Sequence, residues 1–443
     1  MPAAALTLPL PRLVGHGIGG GAELPLSPWT FGYLAGAAVV VTSGALGTSW
    51  PRSRLEPSAP AVTDEDDEDN GDRNGPGVVV LRVLGVLGLL VVVGAAAFGS
   101  EIVTQNLAPV AVYVVFWAGL TVVCSLVFDV WNRGLDPVST LGRLVAPASE
   151  RPYRLGAWPA AAGVGVFVWL QLVHPDRARP RTLAVLIVAY LVVVLAAAMA
   201  WGRPFLRRGE PFAVWFGLLG AMAPLRRDVG TGRIRRGTPV AGLARIDASN
   251  GVVALVLVVL GSTLFDAVRE SAFWSGIVGA RSTSEAVPLA TLGLVVAVAV
   301  VAGLYLGSVR LAADVAGRPP MELARMYVHS LVPIAAAYVT AHALPLLVVE
   351  GQAVIALVSD PFGAGWNLFG TADRSVDYTL VSPITLAWVQ AAVVVAGHVA
   401  AVVLAHDRAV ARLPQAVAVR SQYPLVAAYV AFAIGGLGLL LGG

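Results

Sequence analysis

TLAVLIVAYLVVVLAAAMAW, residues 182–201, is twenty residues long and carries no charge. A helix rises about 1.5 Å per residue, so a run of this length reaches across the roughly 30 Å hydrocarbon core of a bilayer. Comparable runs stand on both sides of it, at about 29–49, 78–98, 108–130, 156–173, 251–268, 287–308, 324–349, 381–405 and 421–441. In lipid every backbone polar group must be satisfied within the segment, so these ten spans predict an all-α fold, a polytopic transmembrane helical bundle. Trp29, Trp131, Trp158, Trp201 and Tyr423 fall near span ends, where aromatic rings settle at the membrane interface. PFAVWFGLLGAMAPL (211–225) is apolar but too short to cross, and arginines flank it; it reads as one short interfacial or re-entrant helix.

Composition agrees. The chain has 443 residues, 57% hydrophobic and 13% charged, against about 25% charged in a soluble domain. A single cysteine, Cys124, excludes a disulfide-stapled scaffold. All 30 basic side chains are arginine, and a net charge of +3, scattered along the chain, is too small to argue for nucleic acid. The partners to expect are membrane lipids and a small-molecule or metal ligand.

Arginine also sets the expected orientation. Loops 50–77, 131–155, 202–250, 309–323 and 406–420, with Arg325, carry 22 arginines, and the alternate side carries 7. Cytoplasmic loops are enriched in positive charge, so both termini are expected outside the cytoplasmic (inner) membrane. The chain then divides into an outer N-terminal segment (1–28), a first span (29–49), an acidic cytoplasmic linker (50–77) and the bundle (78–443). The bundle carries an Arg-rich cytoplasmic loop at 202–250 and an outer loop at 350–380. The linker contains DEDDEDNGDRNGPG (64–77), whose like charges repel and which holds nothing apolar to fold around, so disorder is expected there.

Polar residues inside a bilayer are costly and mark candidate sites. Tyr338, His342, Gln390 and His398 lie within the spans, with His329 nearer the inner end. His329 and His342 are 13 residues apart, about 220° around a helix and roughly 20 Å along it, so one ion cannot bind both. On the outer side, His16, His342, Glu350, Asp360, Asp373 and Asp377 are the candidates to converge under the outer loop. Mixed imidazole and carboxylate donors suit a divalent transition metal, with His16, His342, Glu350 and Asp360 as its ligands. Such a metal would activate water, with His342, Asp360, Asp373 and Asp377 as catalytic candidates; the same groups would equally serve a proton or cation carrier. Asp129 and Asp266, at span ends, are expected to meet water or headgroups, and Asp407 to pair locally with Arg408. No motif for nucleophilic catalysis or ATP use is present.

Several stretches carry a family resemblance: HGIGGGAELPLSPWTFGY (16–33), WPRSRLE (50–56), HSLVPIAAAYVTAH (329–342), QAVIALVSDPFGAGWNLFGTADRSVDYTLVSP (352–383), GHVAAVVLAHDRAV (397–410) and AVRSQYPLVAAYV (418–430). Over nearly its whole length the chain resembles a family of bacterial polytopic membrane proteins commonly labelled fenitrothion hydrolase. The label implies cleavage of an organophosphorus ester, but it brings no catalytic motif to carry over onto residues here. Fifteen residues precede His16, with Arg12 as their only charge and prolines at 2, 9 and 11, a poor signal sequence. Three readings follow: a transporter or metal-handling protein with a polar site on the outer side of spans eight and nine, a membrane-embedded metal-dependent hydrolase, and a non-catalytic assembly or scaffold protein.

Overall fold

The computed structural model describes residues 26–55, 75–147, 152–227 and 234–442. His16 and most of the acidic linker lie outside the described residues. Fifteen helices are used below: α1 Pro28–Ser49, α2 Pro76–Phe98, α3 Leu107–Leu126, α4 Pro137–Val145, α5 Trp158–Leu172, α6 Pro180–Trp201, α7 Arg203–Arg208, α8 Pro211–Gly220, α9 Asn250–Glu270, α10 Ala272–Val278, α11 Thr283–Ala316, α12 Pro320–Val348, α13 Ala353–Ser359, α14 Pro383–Arg412 and α15 Gln415–Gly442. Among the described residues nine of these are long and apolar enough to cross a membrane. The protein is a multi-pass, all-α membrane protein.

The helices begin where capping chemistry places them. Ser27 and Ser382 accept backbone N–H groups at the starts of α1 and α14, each followed by a proline in the first turn. Ser282 and Glu285 form a capping box at α11, and Gly317 ends that helix in a left-handed conformation at φ 62°. Residues 328–330 of α12 form a 3-10 turn. Pro333 lies four residues beyond His329 and has no N–H to return to its carbonyl, so the α-helical ladder is interrupted there.

The fourth expected span is a helix of only 15 residues, α5. It nevertheless runs beside most of α9. Ala157, just before it, abuts Gly251, and its Leu172 carbonyl accepts from Arg269 at 3.3 Å.

The short apolar stretch packs against its neighbours in the bundle. Helix α8 buries Trp215 and Phe216 completely, packing edge-on with Phe116 of α3 at ring centroids of 4.7 Å (Phe212) and 5.5 Å (Phe216). A helix apolar nearly all round is largely enclosed by protein, and only Val214, Gly217 and Gly220 are partly open. The Arg-rich stretch 202–250 is likewise more than an open loop. It holds α7, α8 and an antiparallel hairpin, β1 Leu225–Arg227 with β2 Ile234–Arg236, in register Leu225 opposite Arg236.

The densest packing joins α1, α12, α14 and α15. Gly397 of α14 lets the backbones meet, since a Cβ there would stand 2.5 Å from the Ala337 Cβ and 2.7 Å from the Pro333 carbonyl oxygen. By contrast α2 turns Val79, Val80, Val83, Leu84, Leu87 and Leu90 outward, an apolar surface that water would not tolerate.

Candidate functional site

Two polar features lie against α12, one at its arginine-poor end and one along its contact with α14. At the arginine-poor end Asp266 of α9 faces His342, with Asp266 Oδ2 3.8 Å from His342 Nδ1. The other Asp266 oxygen accepts from Arg269 at 2.8 Å. These groups border a cavity of about 50 Å³ that Tyr113, Gln171, Ser262 and Thr263 also line. Tyr113 donates to the Arg177 carbonyl at 2.8 Å and belongs to Ala111–Gly119, a stretch of α3 wound as π-helix. Wide turns of this kind recur at functional sites. Burial, and then the neighbouring Arg269, lower the pKa of Arg177 below its ordinary value. The cup is thus a small cavity of mixed lining, in which one carboxylate, one imidazole, an amide and hydroxyl groups face apolar side chains such as Trp117, Val339 and Leu346.

The second feature is a seam between α12 and α14. Tyr338 is 4% exposed, Gln390 1%, His398 0% and His342 7%. The Gln390 amide donates to the Ala341 carbonyl at 2.8 Å, while its Oε1 has no hydrogen-bond partner among the described residues. His398 Nδ1 lies 2.8 Å from the Val394 carbonyl, a bond in which only the ring can donate; Nε2 has no partner among the described residues. The ring packs edge-on against Tyr338 at 5.8 Å. Tyr338 itself donates to the Phe432 carbonyl at 2.6 Å. His329 is buried beside the Met326 and Leu404 carbonyls without good hydrogen-bond geometry at either nitrogen.

At the arginine-rich end of α14 the run His406–Asp407–Arg408 gathers distant chain. Asp407 accepts from Trp50 Nε1 (3.0 Å), Ser53 Oγ (2.8 Å), Arg54 N (2.6 Å) and Leu55 N (3.2 Å). His406 bridges the Trp50 carbonyl and Gln422, and Arg408 donates to the Ala244 carbonyl at 2.7 Å. The expected local pairing of Asp407 with Arg408 is therefore subordinate to a latch holding 50–55 and 244–246 against the bundle.

The acids of the outer loop do not converge. Asp360 accepts from Ala364 N and Gly365 N at 2.9 and 2.8 Å. Asp377 accepts from Thr379 N and Oγ1 at 2.8 and 2.7 Å, bonds that hold its carboxyl below the usual range. Asp373 is exposed, and Glu350 sits half-buried in the turn Glu350–Gln352. Among the described residues no three His, Cys, Asp or Glu side chains come together to hold a metal. The expected cluster of His342, Glu350, Asp360, Asp373 and Asp377 is corrected accordingly: Asp360 and Asp377 are taken up by the nearest backbone donors, which lie a few residues away. The partner His342 does find, Asp266, is one that the sequence reading assigned to water or headgroups. Its signal was present, as Asp266 and Arg269 form an (i, i+3) pair just inside a span end.

A further acid pair was not foreseen. Asp136 caps α4, accepting from Val138 N at 2.8 Å, and Glu210 caps α8, accepting from Phe212 N at 3.1 Å and from the Tyr190 hydroxyl. Both are fully enclosed. Burial, reinforced by Asp136, pushes Glu210 up to about 8.

Comparison with family models, with curated proteins and with solved structures finds no match for this chain.

Proposed function

We propose that the protein is a membrane carrier for a small polar solute or ion, with the Asp266–His342 cup as the mouth and the α12–α14 seam as the path. The observation that carries this reading is the inward placement of Tyr338, Gln390, His398 and His342. Polar side chains within a membrane are expensive, and those lining a solute path face the bundle interior. The 3-10 interruption at 328–330 of α12 adds support, because broken helices recur beside carrier sites, where they release backbone carbonyls. A cavity of about 50 Å³ exceeds the roughly 10–15 Å³ that admits one water and suits small cargo. Carboxylate and imidazole donors at its wall favour a cation, divalent transition metals included.

The hydrolase reading implied by the family resemblance would need room for an ester, and ligand pockets run to about 300–1,000 Å³. The carrier reading is therefore preferred.

The test is uptake into proteoliposomes of purified full-length protein, with Zn²⁺, Mn²⁺, monovalent cations and small polyols offered in turn. One of these is expected to enter faster than into protein-free vesicles, with at least a tenfold loss in Asp266→Asn and in His342→Gln. Uptake no faster than the blank for every solute would overturn the reading. Phosphotriester turnover that disappears in His342→Ala would replace it with the hydrolase.

A further inference from the structure

His398 stands at the middle of the bundle. It lies fifteen residues after Pro383 and fourteen before Arg412, the ends of α14, which puts it about 22 Å from either end. Across the seam its level is that of Pro333 and Ala337, the residues that meet Gly397, also near the centre of α12. With Nδ1–H committed to the Val394 carbonyl, the ring presents a bare lone pair at Nε2, fully buried and without a partner among the described residues. Leaving such an acceptor unsatisfied in a protein interior costs about 1–3 kcal/mol, so its retention calls for a reason.

We propose that Nε2 of His398 is a proton-binding site through which the carrier couples its cargo to H⁺; this rests on the carrier reading above. Imidazole is the side chain that gains and loses a proton near neutral pH. A hydronium arriving from the Asp266–His342 cup gives its proton to Nε2, forming N–H as O–H breaks and leaving water. The reverse transfer, to water on the side of His329 and His406, restores the neutral ring. Gln390 Oε1, eight residues nearer the cup, provides an acceptor for the waters that bring the proton.

Few other groups compete for the charge. Packed against α14 along the seam, α12 contributes Tyr338, its hydroxyl committed to Phe432, and two further imidazoles, His342 toward the cup and His329 beside the Leu404 carbonyl. Helix α15 has no titratable residue after Tyr429, and α1 has only the exposed Tyr33. Between Pro383 and His406 α14 itself carries no acid and no arginine.

Full-length protein in liposomes with trapped pyranine, held at zero potential by K⁺ and valinomycin, is given an external step from about pH 7.5 to 6.5. Wild type is expected to acidify the lumen faster than protein-free vesicles, and His398→Gln, which keeps an amide donor for Val394, to slow this at least tenfold. Arg310→Gln, an exposed position on α11, is expected to match wild type. Melting temperature and gel-filtration profile establish that each variant is folded. In parallel, ¹⁵N-histidine spectra should contain one titrating imidazole that is missing from His398→Gln. Proton flux equal in wild type and His398→Gln overturns the proposal, as does solute uptake by wild type with no proton movement; the second outcome leaves the carrier reading intact. Proton flux lost in His398→Gln, without uptake of any solute, supports the proton site and removes the carrier reading instead.

Discussion

Asp407 has no exposure, yet it accepts from Trp50, Ser53, Arg54 and Leu55 in the segment 50–55. A buried carboxylate is tolerated only when it is hydrogen-bonded in this way. Replacing it with alanine leaves those donors unsatisfied, and Asp407→Ala should cost about 3 kcal/mol. The expected readout is a lower melting temperature in detergent together with new proteolysis near Arg52 and Arg54. Glu210 behaves in the opposite sense. Its folded pKa of about 8 lies above the unfolded carboxylate value, so the native state holds a proton that the unfolded state has lost. Stability from this group is full below about pH 4.3 and declines as pH rises toward 8. Melting temperature should therefore fall between pH 5 and 8, and Glu210→Gln, which cannot ionise, should flatten that slope. An unchanged slope in the variant would remove Glu210 as the cause.

Helix contacts can be tested with two glycines whose surroundings differ. At Gly397 an added Cβ meets Ala337 at 2.5 Å and a backbone oxygen at 2.7 Å, neither of which can turn aside. Gly397→Leu should drive α14 off α12 and abolish a monodisperse gel-filtration peak. Gly303 of α11 has nothing within 4 Å, so Gly303→Ala should be neutral or gain up to about 1 kcal/mol from helix propensity. A comparable loss in both variants would mean that the close α12–α14 contact is not what makes Gly397 necessary. Element by element, the helices were legible because hydrophobicity and caps act over a few turns. Two features lie outside that range for one reason. The burial of α8 and the 15-residue length of α5 depend on the aromatic rings and helices beside them, which a window along the chain does not contain.

Across the whole molecule the 22-to-7 division of arginine predicts which end faces the cytoplasm. Cys124 is buried and is the one native cysteine, so introduced thiols report against a quiet background. In intact cells a membrane-impermeant maleimide should label Ser375→Cys, on the exposed 360–380 loop, and should reach Ile234→Cys in the hairpin only after permeabilisation. The reverse pattern would invert the orientation. The sequence by itself determined a helical membrane bundle, because the length and apolarity needed to cross a bilayer are properties of about 20 consecutive residues. It also singled out the polar residues of α12 and α14, since any polar group in such a run is conspicuous. Only the tertiary structure decided which of them act together. Asp266 and His342 belong to helices far apart in the chain, the loop acids Asp360 and Asp377 turn to their own backbone, and His398 keeps an Nε2 without a partner among the described residues. Pairing across helices depends on which faces pack, and that is settled by side-chain volumes summed over the whole bundle.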